Sequence, residues 1–193
     1  MPPIHAPSAA VAESAAAALY RELGLAGQLD PAAFSAGFRS MEQHGLHGGV
    51  IAIADLTQPS TSKRLFVIDL VRKVLLLRTY VAHGQNTGDL NATHFSNRLQ
   101  SHQSSLGLFR VGATITSPKH GLALLLSGLD KSVNDLALAR ELIIHAADYV
   151  SDKFIATHAR LGRSWGCPAV SREAMPQLLH SFAGGGLLYV YGG

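Results

Sequence analysis

The chain has 193 residues, of which 47% are apolar and 15% are charged, and this suits one well-buried domain with a small helical appendage. Its longest apolar runs, 122–126 and 187–191, are far shorter than the roughly 20 residues of a membrane-spanning helix. The net charge of +3 and the pI near 9.2 come without a cluster of Lys and Arg. The sequence therefore predicts neither a membrane span nor a nucleic-acid-binding surface.

The first residues of the chain lack the basic and apolar regions of a signal peptide, so the chain, read literally, is not exported. A protein from which the signal peptide has already been removed would begin in the same way. Export therefore stays open at this point.

Two helices are predicted before the first strand. Segment 8–24 is rich in alanine and ends in glycine, which is typical of a helix and its stop. Segment 30–43 begins with Asp-Pro, the pattern of an N-cap followed by proline at the first helical position. Its core-facing stripe consists of Phe34, Phe38 and Met41. We expect an N-terminal helical extension over residues 1–45 and a main domain over residues 46–193.

From residue 50 onward, β-branched and aromatic runs predict short strands. These runs are 50–54, 64–69, 73–81, 107–111, 122–126, 142–145 and 187–191. The polar break between the second and third runs predicts a hairpin. The loop 83–103 is too long for a plain connection, which indicates a functional or capped segment. The predicted fold is mostly β with helical additions (α+β), and mainly antiparallel.

Cys167 is the only cysteine of the chain, so it has no internal disulfide partner. A free cysteine is commonly an inert apolar core residue. Here, however, Arg163 lies four positions upstream and His145 lies 22 positions upstream, and a thiolate beside a cation and an imidazole is a nucleophile. A base that precedes the nucleophile argues against papain-like and NlpC/P60-like peptidases, in which the cysteine comes first.

These residue types suit acyl transfer from an amide, which needs a nucleophile, a base and donors for the oxyanion. We predict Cys167 as the nucleophile and His145 as its base, with Arg163 helping to raise the thiolate fraction above that of an unperturbed thiol of pKa about 8.5. The amides around Gly166 and Cys167 are predicted oxyanion donors. Trp165 is predicted to line a pocket wall or to be buried in the core.

Several segments together resemble the L,D-transpeptidase (YkuD-type) catalytic domain, most closely its divergent murein L,D-transpeptidase (YkuD_2-like) branch. Segment 143–151 resembles the strand that carries the family histidine, and segment 162–170 resembles the nucleophile segment. The hairpin 64–84 resembles the opening strands of that fold, a β-sandwich or barrel. The resemblance covers about residues 50–193, and the cysteine segment is its most specific part.

The sequence departs from the commoner Ser-x-Gly-Cys pattern after the nucleophile. The matching residues are Ser164, Gly166 and Cys167. Ala169 stands where an arginine usually follows, and the usual His-Gly-Thr is His-Ala-Ala at 145–147. Both departures fit the divergent branch. They leave the anchor for a substrate carboxylate open, and Arg160 or Arg163 is a candidate replacement.

The resemblance implies a cysteine-dependent L,D-transpeptidase without a cofactor, located in the periplasm or cell envelope. Its partners would be donor and acceptor stem peptides of peptidoglycan, joined through a thioester acyl-enzyme. A 1-3 linkage between L-alanine and a diamino acid is favoured, and a 3-3 linkage is the other possibility. The alternatives are an L,D-carboxypeptidase or hydrolase and a non-catalytic peptidoglycan-binding module. The oligomeric state stays open.

Other polar residues have weaker patterns. His83, His120 and Ser105 are candidates for substrate binding, although each suits a structural role equally well. The spacing of His44 and His47 lacks the second ligand pair of a zinc site, so no metal is predicted. The charged pairs expected to be ordinary solvated groups are 63–64 and 140–141.

Overall fold

The computed structural model describes residues 14–192. The start of the predicted first helix, residues 8–13, lies outside this range. The helices of the described range are α1 (Ala15–Glu22), α2 (Pro31–Gln43), α3 (Asp152–His158) and α4 (Met175–Ser181). Its strands are β1 (Val50–Asp55), β2 (Leu65–Asp69), β3 (Val74–Thr79), β4 (Gly107–Ser117), β5 (Gly121–Gly128), β6 (Ile143–Ala146), β7 (Ala169–Val170) and β8 (Gly186–Tyr191).

The second helix begins where the sequence predicts it. Asp30 Oδ1 accepts a hydrogen bond from Ala32 N at 2.7 Å, and proline occupies the first helical position, which satisfies part of the free helix N-terminus. The predicted stripe faces the core, since Phe34 and Met41 are buried and Phe38 packs against the same cluster.

The eight strands form one sheet in the order β3-β2-β1-β8-β4-β5-β6-β7. The predicted hairpin of β2 and β3 is antiparallel, as are most other pairs, while β1–β8 and β6–β7 are parallel. The sheet curls until its two edges nearly meet, because Ala82, just past β3, exchanges backbone hydrogen bonds of 2.8 and 3.3 Å with Ala169 of β7. The α+β prediction is confirmed.

The curled sheet has a core on each side. Strand residues that point inward pack with Met175, Leu178 and Phe182 of the α4 region. On the outer side, α1 and α2 cover β1, β2, β4 and β8. The predicted boundary between residues 45 and 46 stays a prediction. In the part of the chain that the structure describes, no helix is both long and apolar enough to cross a bilayer.

The β4–β5 hairpin is longer than the sequence predicts. Gly112 and Ala113 of β4 lie opposite Leu125 alone, which makes a β-bulge, and a bulge bends and twists a strand. The outer half of β4 is largely exposed, and this is why an apolar pattern does not reveal it. The two short helices α3 and α4 were also not predicted.

Candidate active site

A tight turn presents Cys167. The Ser164 hydroxyl donates to the Cys167 carbonyl at 2.6 Å and accepts from Gly166 N at 3.1 Å. Gly166 has a φ of 120°, a conformation that favours glycine. Because Ser164 already occupies the Gly166 N–H, that amide is not the free oxyanion donor we expected. The Cys167 N–H, the other expected donor, has no partner in another residue of the 14–192 range and faces its own thiol.

The long loop predicted to be functional packs behind this turn. Gln85 N donates to Ser164 O at 2.8 Å, and Ser164 N donates to His83 O at 3.0 Å. Gly84 lies so close to the turn that a Cβ on it would stand 3.0 Å from the Gly166 Cα. The loop therefore supports the nucleophile segment through its backbone.

Strand pairing brings His145 to the same place. β6 and β7 run parallel with His145 opposite Ala169, and His145 N donates to Pro168 O at 3.3 Å. The ring Nδ1 lies 3.0 Å from the Ala146 carbonyl oxygen. A carbonyl only accepts, so Nδ1 carries the proton and Nε2 holds the free lone pair of a base.

Cys167 and His145 line one cavity of about 590 Å³. Among the predicted site residues, His120, Arg163, Ser164 and Trp165 line it as well. The His120 ring stacks on the His145 ring, with 3.8 Å between ring centroids. Trp165, 65% exposed, stacks on His102 and has the Lys119 ammonium 4.8 Å from its centroid. Trp165 is therefore a wall of the cavity mouth and not a core residue.

The Cys167 thiol is not hydrogen-bonded to the imidazole in this structure. Its hydrogen-bond acceptor is the Glu141 carbonyl oxygen, 3.9 Å from Sγ, and within residues 14–192 no hydrogen bond joins Cys167 to His145. Catalytic hydrogen bonds are often long or misaligned before substrate binds. Proton transfer to Nε2 requires the thiol to turn away from Glu141.

Both groups rest in their neutral forms. Burial raises the pKa of the Cys167 thiol, and the nearby Arg140 only partly opposes this effect. Burial likewise lowers the pKa of His145 to about 4. The expectation that His145 and Arg163 would raise the thiolate fraction is wrong, because desolvation disfavours both charged forms. Such a pair acts by general-base transfer of the proton during attack.

Arg140 is the cation beside the thiol. It lines the cavity and donates to the Ser96 carbonyl, the Gln103 carbonyl and the Ser105 hydroxyl. Expecting it to be solvated was wrong, because these acceptors hold the guanidinium half-buried. The sequence pattern around Arg140 gave no signal of this, since all three partners lie more than 30 residues away in the chain.

Arg163 and Arg160 both pair with the exposed Asp89. Its Oδ1 lies 2.9 Å from Arg160 Nε and 3.1 Å from Arg163 Nη1. Arg163 also lines the cavity that holds Cys167, whereas Arg160 does not. Of the two candidate carboxylate anchors, only Arg163 is in reach of a ligand in that cavity.

His83 and Ser105 lie away from that cavity. His83 is buried and its Nδ1 accepts from the Arg64 guanidinium at 2.8 Å; burial, with Arg64 adjacent, lowers the pKa of His83 to about 4. Expecting Arg64 to be solvated was wrong, since it is fully buried and also donates to the Val81 carbonyl. Ser105 is buried, accepts from Arg140 and donates to Ser96 O. These contacts are structural.

No three His, Cys, Asp or Glu side chains of the described residues converge as a metal site. His44 pairs with Asp130 instead, at 2.7 Å. The acidic neighbour of the base, Asp148, pairs with Arg172 on the surface, so a carbonyl and not a carboxylate orients the His145 ring.

The family model YkuD_2, the L,D-transpeptidase catalytic domain, matches residues 26–191. The chain therefore belongs to the YkuD_2 family of L,D-transpeptidase catalytic domains. This confirms the resemblance drawn from the sequence. The match includes α2 but not α1. No curated protein matches the chain.

Solved L,D-transpeptidases are similar to the chain at low identity. The protein from Mycobacterium smegmatis is 11% identical with a TM-score of 0.44, over 76% of this chain and 60% of that one. The protein from Stackebrandtia nassauensis is 16% identical with a TM-score of 0.46, over 91% of this chain and 75% of that one. The chain thus spans 60% of the length of the mycobacterial protein.

Proposed function

We propose that this protein is a cysteine-dependent L,D-transpeptidase that crosslinks peptidoglycan stem peptides through a thioester on Cys167. The observation that carries the proposal is the shared cavity of the Cys167 thiol and the His145 imidazole, whose Nε2 is the unprotonated nitrogen. Family membership supports stem peptides as the substrate class.

The proposed reaction has two halves. In the first, Sγ bonds to the carbonyl carbon of an L-configured residue while His145 Nε2 takes the thiol proton. The C–N bond to the following D-residue then breaks, and the imidazolium returns the proton to the leaving amine. The Cys167 N–H stabilises the oxyanion. In the second half, an acceptor amine attacks the thioester, its proton passes through His145, and the thiol is regenerated.

The charges of the cavity suit a substrate that carries carboxylates. Lys119, Arg140 and Arg163 line it together with a single acidic residue, Glu141. Stem peptides carry several carboxylates, so this excess of positive charge favours their binding. The guanidinium of Arg140 is occupied by backbone and hydroxyl acceptors. We assign carboxylate recognition to Lys119 and to Arg163, whose exposed partner Asp89 a substrate carboxylate would have to replace.

The test is mass spectrometry of the products formed from defined muropeptides by the wild-type protein, Cys167→Ala and Cys167→Ser. Crosslinked dimers with the wild type and none with either variant are expected. Trimmed monomers would instead mean that water resolves the thioester, as in an L,D-carboxypeptidase. Crosslinking by Cys167→Ala would refute the nucleophile, and sacculus binding without turnover would mean a binding module.

The linkage and location follow from the same proposal. We expect a 1-3 bond between L-alanine and a diamino acid, as the divergent branch implies, and fragmentation spectra of the dimers distinguish it from a 3-3 bond. Because the substrate is the cell wall, we place the protein in the periplasm or cell envelope. Fractionation of cells that express the natural protein tests this location.

A further inference from the structure

The tip of the β4–β5 hairpin reaches the active-site cavity at two points. His120 and Lys119 are adjacent residues of the tip; the first stacks on His145 and the second lies over Trp165. The turn is closed by His120 N, which donates to Ser117 Oγ at 3.3 Å, and by Gly121 with a φ of 71°. Most of the outer part of the hairpin is exposed, so these two contacts fix its tip.

Apart from this stack, few polar contacts orient the buried His145 ring. Its one side-chain hydrogen bond within the described residues runs from Nδ1 to the carbonyl of the next residue, Ala146. That bond sets the ring orientation from its Nδ1 edge, and no hydrogen bond to the described residues holds the Nε2 edge. The acid that orients the base in many catalytic sets is missing here, because Asp148 pairs with Arg172.

We propose that His120 is a positioning residue for the reaction: its ring stacks on His145 and holds that imidazole with Nε2 available to the Cys167 thiol. The proposal rests on the function proposed above. The face contact supports the ring orientation that the Nδ1 hydrogen bond sets, because the His145 ring cannot turn its edge toward His120 without a clash.

The state of His120 agrees with this role. Burial, with Lys119 beside it, lowers the pKa of His120, so the ring that faces His145 is neutral at neutral pH. Its ring nitrogens make no hydrogen bond to residues 14–192, which leaves stacking as the contact of the side chain. His120 is only partly buried at a hairpin tip, so replacing it does not open a cavity in either core.

The experiment compares His120→Ala, which removes the ring, with His120→Phe, which keeps an aromatic ring but not its nitrogens. The matched control is His158→Ala, because His158 stacks on Phe154 of α3 with 4.0 Å between centroids and lies outside the cavity. Iodoacetamide is the probe, since Cys167 is the only cysteine and alkylation therefore reports one site. Crosslinking of muropeptides is measured in parallel.

His120→Ala is expected to slow crosslinking by about 10- to 100-fold, the scale of a misplaced catalytic group. It is also expected to slow the alkylation of Cys167. His120→Phe is expected to recover most of both rates, and His158→Ala to match the wild type. Full rates in His120→Ala would overturn the proposal, as would a His120→Phe variant as slow as His120→Ala. A further outcome is a wild type that makes no crosslinks while its alkylation, and that of His120→Phe, is still faster than that of His120→Ala. In that case the proposed function fails and the positioning role stands.

Discussion

The guanidinium of Arg140 lies against the backbone of Gly166, so close that a Cβ on that glycine would stand 2.9 Å from Nη2. Arg140 thus supports the nucleophile turn and also places a positive charge near Cys167. The commoner family pattern has an arginine two residues after the cysteine, where this chain has Ala169. In this chain a positive charge near Cys167 comes from Arg140, which precedes the nucleophile in the sequence.

Arg140→Met is expected to raise the pKa of Cys167 further, because the nearby positive charge lowers it in the native protein. A higher pKa means a smaller thiolate fraction at neutral pH, so the pH profile of iodoacetamide alkylation moves to higher pH. Arg140→Lys keeps the positive charge but not the planar guanidinium with its several donors, and it is expected to move the pH profile less. The control is Arg110→Met, an exposed arginine of β4. An unchanged profile in Arg140→Met would contradict the electrostatic role.

Gly84 tests the support that the long loop gives to the nucleophile turn. A Cβ there would lie 2.5 Å from the His102 carbonyl oxygen and 3.0 Å from Ser104 N. The same Cβ would lie 3.0 Å from the Gly166 Cα of the turn. Gly84→Ala must therefore displace both the 102–104 backbone and the turn, at a cost of about 1–3 kcal/mol, as for overpacking elsewhere. We expect a lower melting temperature and slower crosslinking.

The control for that variant is Gly184→Ala, since a Cβ on Gly184 would meet nothing within 4 Å and its φ is not positive. Thermal unfolding followed by circular dichroism measures both variants. Equal melting temperatures for the two would show that the loop is free to move away from the turn.

Buried neutral histidines make the fold sensitive to acid. The pKa of His83 falls from 6.5 to about 4 on folding, through burial and then Arg64. The unfolded chain binds more protons between these values, so stability is complete above about pH 6.5 and decreases as the pH falls toward 4. Burial also lowers the pKa of His145 to about 4, so His145 adds to the loss of stability over the same pH range.

His83→Gln removes one of these titrations. Its amide oxygen can still accept from the Arg64 guanidinium, so it serves as a conservative replacement. Urea unfolding at several pH values between 4 and 7 is expected to show a flatter pH dependence than in the wild type, with crosslinking at neutral pH retained. A loss of crosslinking in a stably folded variant would restore His83 as a substrate-binding residue.

The sequence predicts what depends on local pattern. The strand-forming runs, the Asp-Pro helix start and the segment around Cys167 each carry their signal within a few residues, and the fold confirms the first two. His145 is found because its strand resembles that of a known family. What the sequence misses depends on distant partners, as with the burial of Arg64 and Arg140.

Each of the two arginines stands next to another charged residue, Lys63 or Glu141, so a solvated position is the natural expectation. Their burial becomes possible only when backbone carbonyls from other segments of the chain converge on the guanidinium. The stack of His120 on His145 is equally invisible in the sequence, because it depends on the length and bend of a hairpin whose outer half is exposed.

The low pKa of His145 predicts where the reaction loses its rate in acid. Because burial lowers this pKa to about 4, the base remains unprotonated at pH values where an unperturbed histidine of pKa about 6.5 is mostly charged. Measured as kcat/KM for a donor muropeptide, which reports the free enzyme, the acid limb is expected near 4 and not near 6.5. Circular dichroism at each pH must show a folded protein, since the same acidification weakens the fold. An acid limb near 6.5 in a folded protein would mean that the ring is solvated and that a base other than a buried neutral imidazole sets the rate.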